Sequence, residues 1–159
     1  MKHIDIAKRE AVERAAPAAS LSHMSHQDQI ATANRLFMGD DCTNCKVLAR
    51  ELEKKRYGYY QQDLRKKRVA TMKAVLTLDE LEEKIVASKL RCFYCARAVQ
   101  LFYREARDPS QWTLDRIDNT CAHTASNTCV ACLECNLQRR RTSHTGYAFT
   151  KNLSIRKLE

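Results

Sequence analysis

Apolar residues recur at helical spacing through the first half of the chain and give way to short extended runs in the second. Ile30, Ala33, Leu36 and Phe37 predict a helix that breaks at Gly39-Asp40-Asp41. Val47, Leu48 and Leu52, then Leu64, Val69 and Met72, predict further helices with one apolar side, interrupted near Gly58. Thr77-Leu78-Asp79-Glu80 has the form of a capping box, with Thr77 as N-cap and Glu80 reaching back to it. The helix it opens carries an apolar stripe of Leu78, Leu81, Ile85 and Val86. Further on, Val99 to Tyr103 reads as a strand, Asp108-Pro109-Ser110 as a turn, and Gln111 to Leu114 as a second strand. Leu137 to Arg141 reads as a closing helix, broken at Ser143 to Gly146. At the front, Ile4 to Ala15 supports a short helix, and Pro17 with the polar run Ser22 to His26 reads as a mobile arm. At the far end, Phe149, Leu153, Ile155 and Leu158 suffice for a docked strand or short helix.

Composition narrows the classes. A length of 159 residues fits one domain with appendages. The net charge of +9 implies a polyanionic partner. Asp5, Glu10 and Glu13 argue against a transit peptide, and no segment approaches the roughly 20 apolar residues of a membrane span. Eight cysteines, largely in x-x-spaced pairs with no secretory signal ahead of them, favour metal binding in a reducing, intracellular compartment over a disulfide framework. Lys54, Lys55, Arg56, Arg65, Lys66, Lys67 and Arg68 cluster with Tyr57, Tyr59 and Tyr60 interleaved. Such a mix can grip a phosphate backbone without reading bases, or form a solvated helix face.

The cysteines carry the strongest chemistry. Cys92-Phe93-Tyr94-Cys95 and Cys132-Leu133-Glu134-Cys135 supply four thiolates at the spacing of a tetrahedral structural zinc site. The 36 residues between the pairs exceed the roughly 15–20 of the simplest four-cysteine pattern, so they must hold structure of their own. Asp115 lies within them and Asn136 follows the last cysteine, so closing the zinc site can bring a carboxylate and an amide oxygen together. Two oxygen ligands with open positions suit a hard divalent ion such as magnesium. Cys42 and Cys45 form a third pair. It is completed to a second zinc site at long range by Cys121, His123 or Cys129, or it is two reduced thiols at the start of a helix.

The order Cys-x-x-Cys, Leu114-Asp115-Arg116-Ile117-Asp118-Asn119, His123-Thr124-x-x-Asn127, Cys-x-x-Cys-Asn136 and Arg139 resembles the HNH (ββα-metal) endonucleases. The zinc-knuckle branch, similar to phage recombination endonuclease VII, is the nearest likeness, and it covers about residues 90–142. The resemblance implies an α+β fold: a zinc-stabilised, treble-clef-like ββα-metal core preceded by a mostly helical extension. With the segments read above, the chain divides into an arm (1–26), a basic helical extension (27–76), a nuclease-like zinc domain (77–146) and a tail (147–159). The resemblance also implies Asp115 and Asn136 as ligands of a catalytic Mg2+ or Mn2+, Asn127 as the brace of the metal-binding loop, and Arg139, Arg140 and Arg141 as contacts to DNA phosphates. The family's general base is usually the histidine after the metal-binding aspartate, and here that position is Arg116, in a family variant written Asp-Arg-Ile-Asp. His123 and Asp118 are the candidate proton acceptors, and Arg116 a candidate phosphate clamp.

Three functions follow: a metal-dependent DNA endonuclease, a catalytically weak or inactive HNH-derived module that binds nucleic acid, or a structural zinc protein of a nucleoprotein assembly. Cutting both strands calls for two active sites, which a homodimer would supply, although no heptad long enough to specify one is visible.

Overall fold

The structure, a computed structural model, describes residues 18–153. The helix expected over Ile4 to Ala15 and the chain end beyond Leu153 lie outside the described residues.

Helix α1 (His26–Phe37) opens at Ser25, whose hydroxyl accepts the Asp28 N–H at 3.1 Å, and closes at Gly39, which takes φ +83°. That left-handed conformation is what a helix terminus asks of glycine. The segment expected to be a mobile arm is ordered from Ala18 onward. Ala18 to Leu21 form a 3-10 turn with Ala18 in the core, and a His26 ring nitrogen lies 3.0 Å from the Leu90 carbonyl.

Helix α2 (Thr43–Arg65) runs for 23 residues, about 35 Å at 1.5 Å per residue. It does not break at Gly58. A glycine costs a helix interior only about 1 kcal/mol, and the buried stripe through Cys45, Leu48, Leu52 and Asp63 overrides it. Helix α3 (Leu78–Ala87) carries the expected capping box, with both reciprocal bonds between Thr77 and Glu80 present.

The strands differ from the expected hairpin. Val99 to Tyr103 forms no strand, because the backbone donors of Leu101 and Phe102 are taken by the side-chain oxygen of Gln29, fully buried on α1. The sheet pairs β1 (Trp112–Arg116) with β2 (Thr128–Cys132), antiparallel, in the register Trp112↔Cys132 to Arg116↔Thr128. Helix α4 (Leu133–Arg139) follows β2 directly with Cys132 as its N-cap, and α5 (His144–Asn152) begins where the sequence suggested a break. Among the described residues the fold is thus mixed α+β, five α-helices around a small two-stranded sheet. Among the described residues no helix is long and apolar enough to cross a membrane.

One core unites the parts. Ala33 of α1 and Leu48 and Leu52 of α2 belong to the same buried cluster as Leu81, Ile85, Tyr94, Val99, Trp112, Leu114 and Val130. The basic extension and the zinc region are therefore not separate bodies. Leu52→Ala is expected to lower stability by about 2–5 kcal/mol and to shift a single unfolding transition. Two separated transitions in a denaturant melt read by far-UV dichroism and Trp112 fluorescence would contradict the shared core.

Candidate functional site

The four sulfurs of Cys92, Cys95, Cys132 and Cys135 all lie within 4.8 Å of one another, with Cys95 and Cys132 3.9 Å apart. A tetrahedral zinc with Zn–S bonds of about 2.3 Å needs sulfurs about 3.8 Å apart. The donor set therefore fits structural zinc. A hydrogen bond from Cys132 holds the Cys92 thiol at about 4, well below its usual range. The same bond and then burial push Cys132 up, and burial pushes Cys135 up to about 11. Zinc must displace the protons these two sulfurs keep at neutral pH.

A cavity of about 760 Å³ opens between α2 and the β1–α4 face, and Asp115, Arg116, His123 and Asn136 all line it. Asn136 sits in the first turn of α4. Its amide nitrogen donates to Thr113 Oγ1 at 3.0 Å and the Leu114 carbonyl at 3.4 Å, which leaves its oxygen without a partner among the described residues. Asp115, 5 % exposed on β1, is held from behind. Tyr94 donates to its Oδ2 at 2.5 Å, and Arg139 Nη1 bonds both carboxylate oxygens at 2.9 Å. Oδ1 has one such partner and keeps a lone pair free. Burial, then the bond to Asp115, raises the Tyr94 phenol, which stays protonated and donating. Behind Tyr94, His144 Nδ1 approaches the same hydroxyl at 2.9 Å, and its ring stacks on Phe93.

Arg139 corrects an expectation. Read as a phosphate contact, it is 2 % exposed, and its guanidinium also bonds the Arg116 and Ile117 carbonyls at 2.6 and 2.9 Å. One helical turn past Cys135, it faces inward and neutralises Asp115. Arg140 and Arg141, beyond the helix, are exposed and border the cavity.

The loop from Ile117 to Asn127 is braced by Asn127. Its side chain accepts the Asp118 N–H at 2.8 Å and donates to the Asp118 and Ala122 carbonyls at 3.0 and 2.9 Å. Asp118 is engaged within the loop: Thr120 bonds its carboxylate through both hydroxyl and backbone and holds it below the usual carboxylate range. His123 lies buried at 3 % exposure, stacked on Tyr59 at 4.6 Å, and both its backbone N–H and its Nδ1 meet Asp63 Oδ2 at 2.8 Å. Arg116 is mostly covered as well, with Nη1 3.5 Å from Asp63 Oδ1 and 3.3 Å from the Cys121 carbonyl.

The second zinc site expected around Cys42 and Cys45 is not assembled. The two are joined to each other as a disulfide at the start of α2, so they are not reduced thiols either; the Asp40 carboxylate lies within 4.8 Å of both sulfurs. Three residues apart on one helical turn, they find each other before any distant partner. Cys121 is exposed and bonds Asp118, Cys129 lies beside Tyr94, and His123 is engaged by Asp63.

Of the basic run, Arg65, Lys66 and Lys67 are exposed, and Lys66 borders the cavity. Arg68 reaches the cavity wall, where it bonds the Asn119 carbonyl at 2.5 Å. Lys55 is spent on Trp112, bonding its carbonyl and lying 4.2 Å over its ring, and Arg56 pairs with Glu53.

Comparison of the chain with protein-family models, with curated proteins and with solved structures finds no match. What the site does must be argued from its own residues.

Asp63, Tyr94 and Arg139's inward role are what sequence reasoning missed. For Asp63 a signal was present: it continues the Leu48, Leu52, Tyr59 stripe of α2, where a carboxylate is out of place unless paired. Tyr94 carried no such mark between its two cysteines.

Two outcomes are expected. Cys135→Ser loses zinc and most cooperative structure, and zinc uptake by the wild type releases protons and weakens as pH falls, read by metal analysis and by calorimetry in buffers of different ionisation enthalpy. Arg139→Ala costs about 3–5 kcal/mol, because it strands the buried Asp115 carboxylate, whereas Arg141→Ala stays within about 0.5 kcal/mol in a denaturant melt.

Proposed function

We propose that this chain is a divalent-ion-dependent endonuclease that hydrolyses phosphodiester bonds in DNA, built on an HNH-type ββα-metal site. The observation that carries the reading is the single cavity in which Asp115, His123 and Asn136, contributed by β1, the following loop and α4, come together under a rim of Lys66, Arg68, Arg140 and Arg141. The order β1, β2, α4 with the thiol cluster at the β2–α4 junction supports the same assignment.

Asp115 Oδ1 and Asn136 Oδ1 are the oxygens that would hold Mg2+ or Mn2+. Such an ion, when bound, stabilises charge on the phosphoryl and leaving oxygens. The rim cations position the DNA backbone by its phosphates. His123 takes a proton from the attacking water as the new P–O bond forms and the bond to the leaving nucleoside oxygen breaks. The leaving oxygen takes a proton from solvent, and the imidazolium returns its own. Burial pulls His123 below its ordinary range, against the pull of Asp63, so the ring is neutral and able to accept at pH 7.

The Asp115–Arg139 pair favours a second reading, a DNA-binding module without hydrolysis, since Arg139 already neutralises the carboxylate and competes with a cation. Asn136→Ala separates the two better than a change at Asp115, which would strand buried Arg139. With supercoiled plasmid and branched DNA in magnesium, manganese or EDTA, the endonuclease gives an ion-dependent product that Asn136→Ala loses while DNA affinity and melting temperature hold. Binding without product in any ion selects the module. In either case Arg140→Ala and Arg141→Ala each lower the salt dependence of binding by about one ion.

A further inference from the structure

Resting on the nuclease reading, we infer that Asp63 is the positioning residue for His123, so that helix α2 of the basic extension completes the active site. Asp63 is fully buried at the last turn of α2. A carboxylate there costs several kcal/mol unless it is paired and hydrogen-bonded. Its Oδ2 receives two donors from one residue, the backbone N–H and Nδ1 of His123, each at 2.8 Å. An ionised carboxylate only accepts, so Nδ1 carries the imidazole proton and the lone pair stands on Nε2.

The rest of the surroundings keeps that arrangement. Tyr59, 4.6 Å away and 29° from coplanar, blocks rotation of the ring. Nε2 has no hydrogen-bond partner among the described residues, and His123 lines the cavity with Asp115 and Asn136. The charges facing the pair are Asp63 itself, Arg116 Nη1 at 3.5 Å and Arg68 Nη1 at 3.7 Å from Oδ1. The two arginines face the Asp63 carboxylate, and burial, then their charges, disfavour a charged ring at rest. Once the ring accepts the water's proton, Asp63 stabilises the imidazolium directly, as a third group does for any base it orients. The Arg116 side chain, at the position where the family usually has its histidine, thus lies at ion-pair distance from the carboxylate that orients the substitute.

The two bonds from His123 end on one oxygen, which makes Asp63→Asn informative. With its carbonyl oxygen in the place of Oδ2 and its amide nitrogen in that of Oδ1, asparagine keeps both bonds from His123, removes the charge and gives up the ion pairs of Oδ1 with Arg116 and Arg68. A loop latch would therefore survive it. The positioning role predicts a kcat lower by about 10–10³-fold with KM little changed, the acid limb of the kcat profile moved to lower pH, and no further loss when His123→Ala is added. Nitrogen-15 spectra of the histidine-labelled full chain are expected to show His123 protonated on Nδ1, with its titration lowered in Asp63→Asn. Wild-type kcat in Asp63→Asn, or an Nε2-protonated ring in a chain that cleaves, overturns the positioning role alone. Absence of product from the wild type in every ion overturns the nuclease reading, and the catalytic role with it, whichever nitrogen the spectra find protonated.

Discussion

A two-stranded ribbon has too little pairing to hold itself in water, so this site depends on the helical core packed against the ribbon and on the four-thiol cluster, whose sulfurs are grouped as structural zinc requires. Cys92 and Cys95 come from the turn after α3, and Cys132 and Cys135 from the junction of β2 with α4. Binding the two together sets where α4 starts. That start places Asn136 over β1 and turns Arg139 inward. The backbone bond from Phe93 N–H to the Val130 carbonyl, 2.9 Å, carries the same constraint into the middle of β2.

Within that frame the site is arranged by buried charge. Asp115 and Asp63 are carboxylates from different halves of the chain, and each sits where burial would be prohibitive alone. Arg139 and Tyr94 answer the first, and His123, Arg116 and Arg68 the second. Arg116 lies between the two systems, its backbone carbonyl bound by Arg139 and its side chain beside Asp63. The metal-ligand candidates and the base candidate are therefore coupled through one residue.

The thiol cluster and the capping box were legible in the sequence because each rests on residue spacing, whereas the bracing Asn127 and the α+β class were expected from the resemblance rather than from the residues themselves. The strand pairing was not legible. Gln29 lies 72 residues before the N–H of Leu101 that it satisfies, and no local pattern announces that a glutamine on α1 replaces a neighbouring strand. The break at Gly58 failed for a related reason: propensity is a small term, and the packed stripe of α2 outweighs it. Arg139 misled because Arg139-Arg140-Arg141 looks uniform as text, while helical geometry sends the first of the three inward and leaves the others in solvent.

Helix α4 has only seven residues, and three of its positions, Cys135, Asn136 and Arg139, share the inward face. Each residue turns a helix by about 100°. One codon inserted between Asn136 and Arg139 would swing the guanidinium away from Asp115 while leaving every side chain chemically intact. This stretch can therefore tolerate changes of letter on its outer face far better than any change of length between Cys132 and Arg139.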